Sequence, residues 1–265
     1  MTLDTILWAI CSLSEAAIIV LISYRRFWRI FPLFFAYSIW SLVGNAASVV
    51  VLHWYSTSSP VYATAYLINL LIDSTLLFAV LVELALSAIR PLRGAPSRTA
   101  IFVVVLLIIA AGAIIWPFTT FPDIQRLSLQ LAILVRLKQA VSALAVLIFL
   151  VLAAGSQMLA IGWRNRELQI ATGLGLYSLA GIIVTVLHTY PNMRDQYGLL
   201  EEFLMGASFL TLLYWIVSFV QREQERREMS PQMQNMLLAV AGVAKSTRVS
   251  LTGSHVQSGK DKEEH

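Results

Sequence analysis

Residues 61 to 88 read VYATAYLINLLIDSTLLFAVLVELALSA. The run stays apolar without polar alternation, which excludes a strand with one wet face and predicts a helix. Its 28 residues extend about 42 Å at 1.5 Å per residue, enough to cross a hydrocarbon core of about 30 Å. Within it sit one amide, Asn69, and two acids, Asp73 and Glu83. A charge in lipid is costly, so such residues face a bundle interior and take partners there.

Six further apolar runs lie at roughly 5–23, 30–53, 99–116, 128–154, 169–190 and 199–220. Backbone in lipid must close its hydrogen bonds within the segment, and the alternation of a barrel is absent. The expectation is an all-α integral membrane protein: a seven-transmembrane-helix bundle over residues 1–220 and a cytoplasmic tail over 221–265. Composition agrees, with 58% hydrophobic and only 13% charged residues against roughly 25% charged in soluble domains. A net charge of +4 does not point to nucleic acid, because the arginines flank the apolar runs instead of forming one basic face. Cys11 is the single cysteine, so no intramolecular disulfide forms. The opening segment lacks a basic leader and carries Glu15 in its apolar run, which reads as a retained first helix.

Arginines set the expected orientation. Eleven fall on one side (Arg25, Arg26, Arg29; Arg90, Arg93, Arg98; Arg164, Arg166; Arg222, Arg226, Arg227) and two, Arg126 and Arg194, on the other. This predicts an N-terminus outside and a cytoplasmic C-terminus, in a cell inner (plasma) membrane. Six prolines, Pro60, Pro91, Pro96, Pro117, Pro122 and Pro191, are expected in connections, and Pro32 in the first turn of the second helix. In the tail, Met233, Met236, Leu237, Val240 and Ala244 share one helical face. Residues 221–245 therefore suit the inner leaflet, a cytoplasmic protein partner or the underside of the bundle. The end of the tail is polar and expected to be disordered.

The chemistry-bearing residues inside the runs are few. They are Glu15 and Asn45 in helices one and two, Asn69, Asp73 and Glu83 in helix three, and Arg136, Lys138 and Gln139 in helix five. Asn69 and Asp73 are four apart, and Arg136 and Gln139 three apart, so each pair shares a face. The stretch LVRLKQAV at 134–141 admits three readings. Arg136 can make a structural ion pair with Asp73. Helix five can begin near Gln139, letting Arg136 and Lys138 snorkel to the interface. Alternatively, Asp73 and Arg136 are the charges of a polar cavity walled by Glu15, Asn45, Asn69, Lys138 and Gln139, which suits a small polar ligand, a proton relay or a coupling ion. Glu83 is expected to pair with Arg90 or Arg93. His53 and His188 belong to no ligand-spaced motif, so no metal or haem is expected, and the last helix lacks the lysine that retinal would need. No hydrolase, phosphate-loop or zinc signature appears, so neither a catalytic residue nor a cofactor is assigned. Small residues in ATGLGLYSLAG, Ala171 and Gly175 among them, predict a close packing seam on helix six.

RIFPLFFAYSIW at 29–40 and WRNRELQIATGLGLY at 163–177, with the acids at Asp73 and Glu83, resemble a family of uncharacterised bacterial seven-transmembrane-helix membrane proteins. The likeness covers most of the membrane portion and not the tail. In that family the position of Asp73 is often glutamate, which implies that an acid is what matters there. It implies the fold and carries over no functional residue. The layout also looks like seven-helix sensor modules, an analogy of topology alone. The expected function is a sensory or accessory bundle that binds a small ligand, a lipid or a partner protein. The alternative is a proton- or ion-coupled transporter or membrane enzyme working through Asp73, Glu15 and Arg136. The tail is too short for a kinase or cyclase domain, so any signal is expected to pass to a separate protein.

Overall fold

The computed structural model describes residues 3–55, 59–93, 98–119, 129–155, 165–188 and 197–221. Seven helices occupy them: α1 (Leu3–Tyr24), α2 (Pro32–Trp54), α3 (Pro60–Arg93), α4 (Arg98–Ile115), α5 (Leu129–Gly155), α6 (Arg166–His188) and α7 (Tyr197–Val220). All seven are long and apolar enough to cross a membrane, and no strand occurs among the described residues. Except for Gln221, the tail proposed to meet a partner lies outside the described residues.

Two boundaries differ from expectation. Helix α3 continues to Arg93 and takes Pro91 into its last turn, where a missing amide removes only one hydrogen bond before the helix ends. Helix α6 begins at Arg166, three residues before the apolar run, because Arg166, Glu167 and Gln169 are buried there with partners instead of lying in a wet connection.

The packing closes a ring. Helix α1 contacts α2 and α7, α2 contacts α3, α3 passes directly to α5, and α5 and α7 flank α6. Helix α4 lies outside, against α3 and α5. Its run IFVVVLLIIAAGAII contains no polar side chain that would need shielding from lipid. The α6 span is the most buried of the seven, at 44%. Lipid tails are as apolar as leucine, so burial alone does not hold such a ring together; close packing and interhelical hydrogen bonds do. The seam on α6 supplies the packing. Gly173 lies directly against the Trp215 indole and Gly175 against Phe149, with no room for a Cβ at either position.

Hydrogen bonds close one end of the ring. Helix α1 stops at Tyr24, Arg26 turns the chain in a left-handed conformation (φ 57°), and a short 3₁₀ turn, Phe27–Arg29, leads into α2. The first amides of α2 are then fully accounted for. Pro32 has none, Leu33 and Phe34 donate to the two carboxylate oxygens of Glu83 at 3.1 and 3.0 Å, and Phe35 donates to Phe31. Glu83 thus caps α2 from α3, a partner that sequence reasoning did not foresee. The C-terminal carbonyls of α7 receive arginines: Arg25 donates to Val220 O, and the buried Arg166 donates to Ser218 O and Gln221 O. An anion at one helix start and cations at another helix end both match the backbone dipole.

Candidate functional site

The ring encloses a cavity of about 480 Å³ on the half of the bundle holding the N-terminal ends of α1, α3, α5 and α7. Each ring helix presents one face to it. Trp8, Cys11, Glu15 and Ile18 recur at three- or four-residue steps along α1 and so line up. Helix α2 contributes Tyr37, Trp40, Ser41 and Asn45, and α3 contributes Asn69 and Asp73. Lys138 enters from α5, Leu174 and Tyr177 from α6, and a strip from Leu204 to Trp215 from α7. Helix α4 contributes nothing.

The polar groups form two sets. Glu15 accepts a hydrogen bond from Ser41 Oγ at 2.8 Å, and Asn45 Nδ2 reaches both of its oxygens at 3.2 and 3.3 Å. Asp73 pairs with Lys138, Oδ2 to Nζ 3.5 Å. Asp73 stands 13 residues beyond Pro60, about 20 Å along the helix. Since the apolar span of α3 runs Pro60–Ala88, that is its middle. Lys138 is 46% exposed, and because it lines the cavity its ammonium opens into that space. Asn69 packs its amide against Gly44 of α2, where a side chain would not fit.

Five of the seven candidate residues, Glu15, Asn45, Asn69, Asp73 and Lys138, come together on this wall. Arg136 and Gln139 do not, and the partner of Asp73 is Lys138, not Arg136. Helical geometry supplies the reason: residues two apart are separated by about 200° around the axis. When Lys138 faces the cavity, Arg136 must face away. The side-chain atoms Arg136 Nε and Gln139 Oε1 are both buried without a hydrogen-bond partner among the described residues. A helix five starting near Gln139 is not observed, because α5 begins at Leu129 and places Lys138 about two and a half turns inside.

Sequence reasoning missed most of the aromatic wall. Trp8, Cys11 and Ile18 were within reach, since stepping from Glu15 by three, four and seven residues along α1 finds them. Tyr37, Trp40, Tyr177 and Trp215 carry no comparable signal, because aromatic residues in a span are usual core or interface material.

Below Ile18 and Trp215 the cavity ends in packed rings. Phe34 meets Trp215 edge-on at 5.2 Å and Phe219 at 6.1 Å, and Phe27 meets Phe219 at 5.9 Å. Trp215 is held by its indole N–H, which donates to Gln169 O at 3.2 Å. Beneath this layer the Arg166 guanidinium lies 4.6 Å from the Phe27 ring and donates to Gln169 Oε1 at 2.7 Å, and Ser87 donates to Glu167 at 3.1 Å. The polar chamber is therefore sealed at this end by aromatic rings and a buried arginine. Among the described residues no three His, Cys, Asp or Glu side chains converge as metal ligands. No family model, curated protein or solved structure matches the chain.

Proposed function

We propose that this protein is a ligand-binding membrane bundle of sensory or accessory type, which takes a small molecule into the cavity between α1, α2, α3, α5, α6 and α7. The observation that carries the reading is the cavity itself, about 480 Å³ at mid-span with charged and amide groups on its wall. Protein interiors pack closely, and voids larger than a few waters are rare without a purpose. Ligand pockets occupy roughly 300–1,000 Å³ and combine apolar walls with a few placed polar groups. Orientation belongs to the same proposal. Setting aside Arg166, which is buried, ten arginines still stand against two. That bias supports a cytoplasmic C-terminus and an N-terminus outside, and it puts the cavity in the outer half of the bundle; the bacterial inner membrane rests on the resemblance. The resemblance at RIFPLFFAYSIW and WRNRELQIATGLGLY supports the same fold assignment.

Cys11 provides the test, because it is the single cysteine and lines the cavity. A membrane-impermeant methanethiosulfonate added from outside should modify it in the native protein. The cavity-filling substitutions Ser12→Trp and Ser208→Phe should each slow that reaction at least tenfold. A thiol that stays unmodified in folded protein yet reacts after unfolding would remove the reading.

A carrier is the second reading, favoured by the Asp73–Lys138 pair on the wall of a mid-span chamber. Asp73→Asn would then abolish flux. In the sensory reading, deletion of residues 229–265 abolishes partner-dependent output.

A further inference from the structure

We propose that the ligand of this cavity carries an organic ammonium group, held at the Glu15 carboxylate. The inference rests on the binding reading above and adds the chemical class.

Charge is the first argument. The ionisable residues on the wall are Glu15, Asp73 and Lys138 beside the thiol of Cys11 and the phenols of Tyr37 and Tyr177. Lys138 is bound to Asp73 at 3.5 Å, which neutralises that acid. Glu15 is left with two neutral donors, Ser41 and Asn45, and no cation in ion-pair range among the described residues. Both contacts donate to it, which is the pattern a carboxylate takes and which sets the side chain in place for a third, charged donor. Among the described residues, with both acids ionised, the wall carries one negative charge more than positive.

The surrounding wall supplies the second argument. Trp8, Tyr37, Trp40, Tyr177 and Trp215 border the same space. Aromatic faces attract organic cations, most strongly where water is scarce, and one carboxylate with several rings is the usual environment of a quaternary or primary ammonium. A bare metal ion fits poorly by comparison. Ca²⁺ and Mg²⁺ require about six oxygen ligands, whereas the described residues bring no three acids, histidines or cysteines together, and the space far exceeds one ion. An anionic ligand would meet two acids against one ammonium, Lys138, already paired with Asp73.

The test uses full-length protein in nanodiscs of phosphatidylglycerol, a lipid without an ammonium headgroup. Cys11 precedes Glu15 by four residues on the same face, so their Cβ atoms lie about 6 Å apart. A full charge at that range, in a medium between water and protein interior, shifts a local cation concentration roughly three- to tenfold. Modification of Cys11 by a trimethylammonium methanethiosulfonate should therefore outrun its sulfonate counterpart by the square of that factor, roughly ten- to a hundredfold, because the anion is depleted as the cation is enriched, after each rate is divided by its rate with free mercaptoethanol. Glu15→Gln should erase the preference. In wild-type protein, which needs no variant to fold, choline should protect Cys11, and its neutral isostere 3,3-dimethylbutanol should not.

The outcomes separate. Equal corrected rates for the two reagents, equal protection by the isostere, or a preference that survives Glu15→Gln would overturn the ammonium assignment while leaving the cavity a binding site. A Cys11 that neither reagent reaches would overturn both. Where the assignment holds, nanodiscs containing phosphatidylethanolamine identify the source. Protection without added amine means a lipid headgroup occupies the site, and unchanged rates mean a free amine does.

Discussion

Replacing Glu83 with Ala should unfasten the start of α2 from α3. The carboxylate accepts from two backbone amides, Leu33 N at 3.1 Å and Phe34 N at 3.0 Å. Hydrogen bonds to a charged group contribute about 1.5–3 kcal/mol each when the partner has no alternative. Phe34 is buried and has none, whereas Leu33 is 38% exposed and can turn to water or a headgroup, so its bond is worth nearer 1 kcal/mol. Adding a helix-end charge effect of about 0.5 kcal/mol, the expected loss is about 3–4 kcal/mol. Glu83→Gln keeps one acceptor oxygen for Phe34 but turns an amide donor toward Leu33, and should lose roughly half as much. The assay is reversible unfolding in mixed dodecyl sulfate micelles, with helicity as the probe. A midpoint for Glu83→Ala within 0.5 kcal/mol of wild type, or Gln as damaging as Ala, would refute the capping argument.

On α6, Gly173→Ala should cost about 1–3 kcal/mol, because the new methyl meets an indole fixed by Gln169 and Phe34. Gly181→Ala on the same helix meets nothing and should stay within about 0.5 kcal/mol of wild type in the same unfolding assay. Arg166→Met should destabilise by about 3–5 kcal/mol, since it removes bonds to Gln169, Ser218 O and Gln221 O. Arg166→Lys should recover less than half, because an ammonium lacks the planar fork that reaches several acceptors. For Asp73 and Lys138, a double-mutant cycle of Asp73→Asn and Lys138→Met should return a coupling of only about 1 kcal/mol, as Lys138 is 46% exposed. A coupling above about 3 kcal/mol would mean the pair is dry.

The helices were legible from the sequence because crossing lipid makes a local demand. A span must be long and apolar by itself, and runs such as 61–88 meet that demand without reference to any other segment. The costly residues were legible for the same reason: Glu15, Asn69, Asp73 and Lys138 stand out against an apolar background, and five of the seven candidates share one wall. Which charge meets which was not legible. Arg136 and Lys138 sit two residues apart with equal chemical claims on Asp73, and the choice depends on how α5 is rotated about its own axis. That rotation follows from packing against α3 and α6, and no local property of LVRLKQAV encodes it. Exclusion of α4 from the ring, the cap that Glu83 places on α2 and the burial of Arg166 under α7 are likewise contacts between segments distant in sequence. The sequence by itself determined that the chain forms helices long and apolar enough to cross a membrane and which residues would be expensive there, because those costs arise within single helices. Only the tertiary structure decided their partners and, among the described residues, left Glu15 without a cation, because side chains find one another through the rotation and order of helices, and these are set by the whole bundle at once.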